Sequence, residues 1–322
     1  MTRVLITGAA GFIGSHLVQA LTRQGDEVVG IDNFDPFYPR AMKERNLAEI
    51  GRPAGFTFRE LDLLDVTALR SLLTADTVIV HLAAKAGVRP SLADPVGYAR
   101  TNVTGTAAVV EAARQAGVAR FVFGSSSSVY GDSTPVPFRE DAVAVVPISP
   151  YAATKRAGEL FLQSVAPIYG FQTVSLRFFT VYGPRQRPDL AIHAFTRKMV
   201  EGRPLTLFGD GTQARDYTYC DDIIAGVVSA VEWSASAPVG VETFNLGGNR
   251  SVPTEAMVRE IAAALGIKPK IEWGPMQPGD VQQTAADLTK STAVLGYRPK
   301  TAFSDGIHRF VQWFREAYGR AD

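Results

Sequence analysis

The chain has 322 residues and a mass of 34.7 kDa, long for one compact domain and sufficient for two packed lobes. Its 33 Lys+Arg balance 32 Asp+Glu, for a net charge of +1 and a pI near 7.8. That balance excludes a bulk electrostatic grip on nucleic acid or an anionic membrane, and 46% hydrophobic with 20% charged residues excludes disorder.

Residues Val4–Thr7 form a continuous apolar run, the pattern of a strand buried on both faces. A Gly-rich turn leads into Phe12–Arg23, where Ile13, Leu17 and Leu21 have helical spacing. Val28–Ile31, Phe56–Leu61 and Val78–Leu82 read as the second to fourth strands. Thr104–Gln115 is an Ala-rich helix with Gly117 as its C-cap. Phe121–Gly124 is the fifth strand, Tyr151–Tyr169 a long helix and Thr173–Phe178 the sixth strand. Strands alternating with helices imply right-handed crossovers and a doubly wound parallel α/β sheet. After Phe179, segments rich in Pro, Gly and Arg break the rhythm. Residues 1–178 are therefore expected to form a Rossmann-type lobe and 179–322 a smaller α/β lobe, with a helix near 221–233 returning to the first.

Gly8, Gly11 and Gly14 lie between the first strand and the first helix. Glycines there permit a tight turn, close approach of the backbone to a pyrophosphate, and close helix–strand packing. The helix N-terminus adds free N–H groups and a partial positive charge. Asp32 closes the second strand, where a carboxylate accepts the adenosine ribose hydroxyls and repels a 2′-phosphate. NAD is expected rather than NADP. Asp62, after the third strand, is a further candidate on the adenine side.

Ser125, Ser126, Ser127 and Ser128 follow the fifth strand, and Tyr151 and Lys155 open the next helix. Four residues apart, Tyr and Lys share a helix face. A neighbouring ammonium lowers a phenol from its free pKa of about 10 and makes it a usable base. A serine hydroxyl at the strand end can bond the same substrate oxygen.

GAAGFIGSHL, Asp32, His81-Leu-Ala-Ala84, SSSSVYG and the Tyr151/Lys155 pair together resemble the extended short-chain dehydrogenase/reductases, in the branch of NAD-dependent sugar-nucleotide epimerases. The likeness runs along essentially the whole chain. It implies that Tyr151 takes a sugar hydroxyl proton while NAD oxidises the sugar, that Lys155 also holds the nicotinamide ribose, and that Ser126 orients the hydroxyl, an assignment open by one residue. It implies cofactor contacts from Phe12, Ile13, Asn33 and Leu63, from Leu82, Ala83, Ala84 and Lys85, and from Ser125. Gly87, Arg89, Ser127 and Ser128 then fall on the substrate side.

Related dehydratases carry an Asp-Glu pair beside the catalytic hydroxyl, and decarboxylases a Glu before their Val-Tyr-Gly; the run here has no acid. Epimerisation through a 4-keto intermediate with recycled NAD needs none. Phe179-Thr-Val-Tyr-Gly-Pro-Arg185 followed by Arg187-Pro-Asp is similar to the uronate-acting 4-epimerases, those that interconvert UDP-glucuronate and UDP-galacturonate. On that resemblance Arg215 contacts the diphosphate, Asp280 the uridine ribose, and Thr180 and Arg185 the hexuronate carboxylate. A UDP-glucose or UDP-N-acetylglucosamine 4-epimerase is the alternative, ahead of a decarboxylase and of a silent NAD-binding sensor. Pro90 after Arg89 departs from the aromatic residue that relatives often carry.

Seven basic residues between Arg177 and Arg215 (Arg177, Arg185, Arg187, Arg197, Lys198, Arg203, Arg215) face three acidic ones (Asp189, Glu201, Asp210), a local +4. That predicts a basic stretch for an anionic sugar nucleotide. His16, His81, His193 and His308 lack ligand spacing, so no metal is expected, and His81 reads as a packing residue. Cys220 as the lone cysteine fits a reducing, cytoplasmic setting. No apolar run reaches the ~18 residues of a membrane span, and MTRVLITGAA has no secretory pattern. Asn102-Val-Thr matches a glycosylation acceptor only formally. By resemblance, the Ala-rich helices form a homodimer contact.

Overall fold

A computed structural model gives the fold and describes residues 1–142, 146–209, 211–275 and 282–319. The first βαβ unit is β1 (Arg3–Thr7), α1 (Phe12–Arg23) and β2 (Glu27–Asp32). Next come α2 (Arg40–Ile50), β3 (Phe56–Glu60), α3 (Val66–Ser71) and β4 (Val78–His81). Two short helices, α4 (Val88–Ala93) and α5 (Pro95–Tyr98), lead through a π-helical turn (Ala99–Thr104) into α6 (Gly105–Ala116). β5 (Arg120–Ser126), a 3-10 turn (Ser127–Tyr130), α7 (Pro150–Tyr169) and β6 (Gln172–Phe178) complete the regular half. Helix α1 has its predicted bounds. β2 and β5 extend past their apolar runs because polar Asp32, Ser125 and Ser126 stay in the ladder, opposite Glu60, Arg177 and Phe178.

Beyond it lie β7 (Thr180–Tyr182), α8 (Ala191–Val200), β8 (Leu205–Phe208), β9 (Ala214–Tyr219), α9 (Cys220–Trp233) and β10 (Gly240–Leu246). β11 (Ser251–Pro253), α10 (Thr254–Leu265), β12 (Ile271–Gly274), α11 (Thr289–Leu295) and α12 (Phe303–Tyr318) follow.

One parallel sheet of seven strands runs β10-β6-β5-β4-β1-β2-β3. The sequence pattern stops at six strands; the seventh comes from Gly240–Leu246, pairing with β6. Alternate residues of β1 feed two cores. Val4 and Ile6 pack with the α1 and α9 side, and Leu5 with Val109, Phe121 and Leu162 on the other. The strand order reverses between β1 and β4, which opens a crevice at the carboxyl ends of those strands. Two small sheets, β11-β9-β7 and β12-β8, lie outside the main one. Among the described residues, no helix is long and apolar enough to cross a membrane.

Helix α7 begins with Ser149 as N-cap, its hydroxyl accepting the Ala152 N–H at 3.2 Å, and Pro150 at the first turn; it ends on Gly170 in the left-handed region. The cap fixes the turn that carries Tyr151. Ser149→Ala is expected to cost about 1 kcal/mol, read as a lower urea midpoint by circular dichroism; an unchanged midpoint would deny the cap that role.

Candidate active site

A cleft of about 440 Å³ opens at the strand-order reversal and is lined from the Gly8–Gly14 turn through Asp32 and Asp62 to Ser125, Tyr151 and Lys155. Phe12, Ile13, Asn33, Leu63, Leu82, Ala83, Ala84 and Lys85 line it as well. The turn leaves room only because it lacks side chains. Gly8 has φ 73°, and a Cβ on it would lie 3.0 Å from the Ala83 backbone; a Cβ on Gly14 would collide with the Gly8 carbonyl oxygen. With the α1 N-terminus behind it and a carboxylate at Asp32, this cradle fits a dinucleotide pyrophosphate and ribose.

Asp32 is buried, and its Oδ1 accepts the Phe34 N–H at 2.8 Å and the Lys43 ammonium at 3.1 Å. Lys43, itself buried on α2, was not singled out by the sequence reading. Asn33 donates to Asp62 at 2.9 Å, tying the loops after β2 and β3.

Lys155 Nζ donates to the Gly124 carbonyl at 2.7 Å, and burial lowers its pKa to about 8 with Glu159 opposing. Burial raises the Tyr151 phenol, while a hydrogen bond from Ser126 and the Arg187 guanidinium oppose that rise. Arg187 is thus a cation acting on Tyr151 that the helix spacing did not point to. Of the four serines, Ser126 is the one that acts on the Tyr151 phenol. Ser125 donates to Glu159 at 2.6 Å, and Ser128 bonds Ser126 at 3.1 Å. Ser127 opens the 3-10 turn.

On the other side, Gly87 (φ 108°) caps α4, and Arg89 lies over the Phe208 ring at 4.9 Å. Thr180 opens β7, and Arg215 on β9 is opposite Val252. Asp280 lies outside the described residues. Arg185 does not reach the cleft. Held in the left-handed region (φ 63°), it donates to Glu49 at 2.8 Å, Gln19 at 2.7 Å and Ser15 at 3.4 Å, bracing the Gly183–Arg185 turn against α1 and α2. Arg187, two residues on, lines the cleft instead and donates to Asp189 at 2.8 Å and to the Ala86 carbonyl at 3.3 Å. The basic stretch also dissolves into pairs: Arg177 with Glu159, Arg185 with Glu49, Arg187 with Asp189, Arg203 with Glu201.

His81 is buried, and desolvation with Lys155 nearby lowers its pKa to about 3, so it is neutral. Histidines far apart in sequence from other ligand types can still meet them: His16, Cys220 and Asp221 place ligand atoms within 4.8 Å of one another. His16 Nε2–H donates to the Pro184 carbonyl, and burial lowers its pKa to about 4. Burial and Asp221 push the Cys220 thiol up, which keeps it protonated. Asn102 is buried and donates to the Lys85 carbonyl and Thr154, an internal brace rather than a glycan acceptor.

The model of the NAD dependent epimerase/dehydratase family matches residues 4–247. A UDP-glucuronate 4-epimerase of Thermodesulfobacterium geofontis is 37% identical over 97% of this chain and 96% of its own length. UDP-glucuronate 4-epimerase 4 of Arabidopsis thaliana is 39% identical over 98% of this chain and 76% of its own. The crystal structure of UDP-glucuronic acid 4-epimerase from Bacillus cereus in complex with UDP-glucuronic acid and NAD superposes with a TM-score of 0.92 at 38% identity, covering 98% of this chain and 100% of that one.

Asp32→Ser is expected to weaken NAD binding at least tenfold, about 1.4 kcal/mol, and to improve NADP binding, because it frees the Lys43 ammonium for a 2′-phosphate. Calorimetric titration of the stripped protein reads both; unchanged NAD affinity would remove Asp32 from the ribose.

Proposed function

We propose that this chain, which belongs to the NAD dependent epimerase/dehydratase family, is an NAD-dependent 4-epimerase interconverting UDP-glucuronate and UDP-galacturonate. The observation that carries the reading is Tyr151 and Lys155, with Ser125, lining the same cleft as the glycine turn, with Ser126 acting on the phenol. Full-length similarity to enzymes named for that reaction supports the substrate.

The backbone of Gly8–Gly14 would hold the cofactor's pyrophosphate, Asp32 its adenosine ribose, and Lys155 its nicotinamide ribose. NAD supplies, when bound, the ring that takes a hydride from C4 of the sugar and returns it to the other face. Ser126 orients the 4-hydroxyl, and Tyr151 takes its proton and later gives it back. Lys155 and Arg187, both cationic, favour the phenolate that this requires. The run 125–131 has no carboxylate, so nothing there assists loss of water from the ketone.

The 4-keto uronate is a β-keto acid, and it loses carbon dioxide fastest when the C5–carboxylate bond lines up with the carbonyl π system. A guanidinium that holds the carboxylate out of that alignment protects it. Arg187 takes this role in place of Arg185, since it lines the cleft and already grips Asp189 through two nitrogens. Thr180, Arg215 and Asp280 remain the other candidates for the substrate, with Gly87, Arg89, Ser127 and Ser128 on the sugar side. In the same reading, residues 1–178 with α9 and β10 form the NAD lobe and the remainder of 179–322 the UDP-sugar lobe. The protein works as a cytoplasmic homodimer; Leu160, Ile168 and Tyr169, exposed on α7, support an apolar contact there.

Incubation with UDP-glucuronate should give UDP-galacturonate on anion-exchange chromatography, and UDP-glucose should stay unchanged; the reverse outcome overturns the substrate. Arg187→Ala should cut turnover about a hundredfold, ~2.7 kcal/mol, and release UDP-pentose. Arg185→Ala should keep turnover within a few-fold and lose about 2 kcal/mol of stability. Equal kinetic losses in the two variants would place the carboxylate elsewhere.

A further inference from the structure

Glu159 stands one helical turn after Lys155 on α7, so the two side chains share a face. Its side chain is 1% exposed. Oε1 accepts the Ser125 hydroxyl at 2.6 Å and Arg177 Nε at 2.9 Å. Oε2 accepts Arg177 Nη2 at 3.0 Å and Arg156 Nη1 at 2.8 Å. Arg177 sits opposite Ser125 in the β5–β6 register and lies 4.7 Å over the Tyr130 ring. One carboxylate thus fastens β5, β6 and α7 at the floor of the cleft.

Stability is a weak account of this arrangement. A buried ion pair costs desolvation of both partners, and apolar replacements of like volume are often as stable. Placement is the stronger one. With its hydroxyl on Glu159, Ser125 pins the end of β5, and the next residue, Ser126, turns to the other face, where it meets Tyr151.

The charges around Lys155 point the same way. His81 on β4 is neutral, Arg177 on β6 and Arg156 on α7 are cations, and Tyr151 is a protonated phenol held by Ser126. Glu140, in the segment before α7, bonds the Asn245 N–H with its carboxylate and meets Arg177 only through its backbone carbonyl. Glu159 is the negative group among them. Burial drags Lys155 down to about 8, and Glu159 is what opposes it. Because that pKa lies below the free value, the ammonium is held below about pH 8 and is lost as the pH rises through it.

We propose that Glu159 is a positioning residue of this active site: clamped by Arg177 and Arg156, it fixes Ser125, and through it Ser126, and places its negative charge one helical turn from Lys155. The inference rests on Tyr151 and Lys155 being the acid–base pair.

Two variants separate charge from reach. Glu159→Gln keeps an oxygen for Ser125 and removes the charge; Glu159→Asp keeps the charge and withdraws it by one methylene. In the NAD-loaded protein, NMR titration of the lysine side chains, with Lys155 assigned through Lys155→Arg, gives the Lys155 midpoint without reference to turnover. Glu159→Gln should lower that midpoint by about one pH unit and move the alkaline limb of kcat with it, so that the rate approaches wild type near pH 6 and lies about fivefold below it at pH 8, with KM within about twofold. Glu159→Asp should leave the midpoint in place and lower kcat about tenfold across the pH range. A fixed midpoint in Glu159→Gln, or equal shifts in both variants, overturns the proposal. Should Glu159→Gln fail to fold, Glu159→Asp and Ser125→Ala decide: both must lower kcat with the midpoint unmoved, and full activity in both overturns it. Should the wild type turn over no UDP-sugar, the functional reading fails, while the Lys155 midpoint still decides the placement of Glu159.

Discussion

A single run of hydrogen bonds joins the cofactor half of the cleft to its catalytic half. The Thr7 hydroxyl oxygen, just before the glycine turn, accepts the Leu82 and Ala83 N–H groups at 3.1 and 3.0 Å. Its proton goes to His81 Nδ1 at 2.7 Å, and His81 Nε2–H goes to Thr106 at 3.1 Å. Thr106 donates to the Asn102 carbonyl at 2.6 Å. The Asn102 side chain donates to Thr154 at 2.9 Å, and Thr154 donates to the carbonyl of Tyr151 at 2.8 Å. Every proton in the run has one consistent direction, which the network assigns to a neutral imidazole. Charging His81 would leave one donor without an acceptor, and its strongly lowered pKa agrees with that constraint. The run crosses β1, β4, the π-helical turn and α7. The distance between the glycine turn and Tyr151 is therefore set by bonded polar groups in a dry interior, where each unmade bond is costly.

Local patterns explain which parts of this were legible in the sequence. The unit from β1 through the glycine turn to α1 could be read because strand burial, turn glycines and helix period all act over a few residues. The same holds for Tyr151 and Lys155, which one helix turn brings together. Lys43 escaped notice because α2 buries Lys43, Asn46 and Ile50 and lacks an apolar stripe. Its ammonium is buried only because Asp32 and the ring of Tyr38 receive it. Strand β10 escaped for another reason: its register is set by β6, and its first four residues are only partly buried. The Thr7–His81, His81–Thr106 and Asn102–Thr154 links join residues 74, 25 and 52 positions apart, separations at which no spacing rule operates.

Arg185 and Arg187 show how a charge run misleads. Two residues apart, they differ in what lies opposite. Arg185 meets Glu49, 136 positions away in sequence, together with Gln19 and Ser15. Arg187 meets Asp189, its near neighbour, at the cleft wall. Sequence gives the sign of each charge; the partner decides whether that charge is available to a ligand.

The same logic revises the near-neutral net charge. Arg177 is spent on Glu159 and Arg185 on Glu49, inside the protein, so the local excess of +4 is not a basic surface. Recognition of an anionic sugar nucleotide then falls to a few oriented groups rather than to a field. Such groups act at short range, where a desolvated guanidinium fork discriminates a carboxylate from a hydroxymethyl group far better than bulk charge does. A bulk positive field acts on total charge, so it favours the uronate by its one extra charge alone and takes no account of where that charge sits. Discrimination between a uronate and a neutral hexose is therefore sharpest where a cation is correctly placed, and Arg187, which lines the cleft, is the cation proposed for that place.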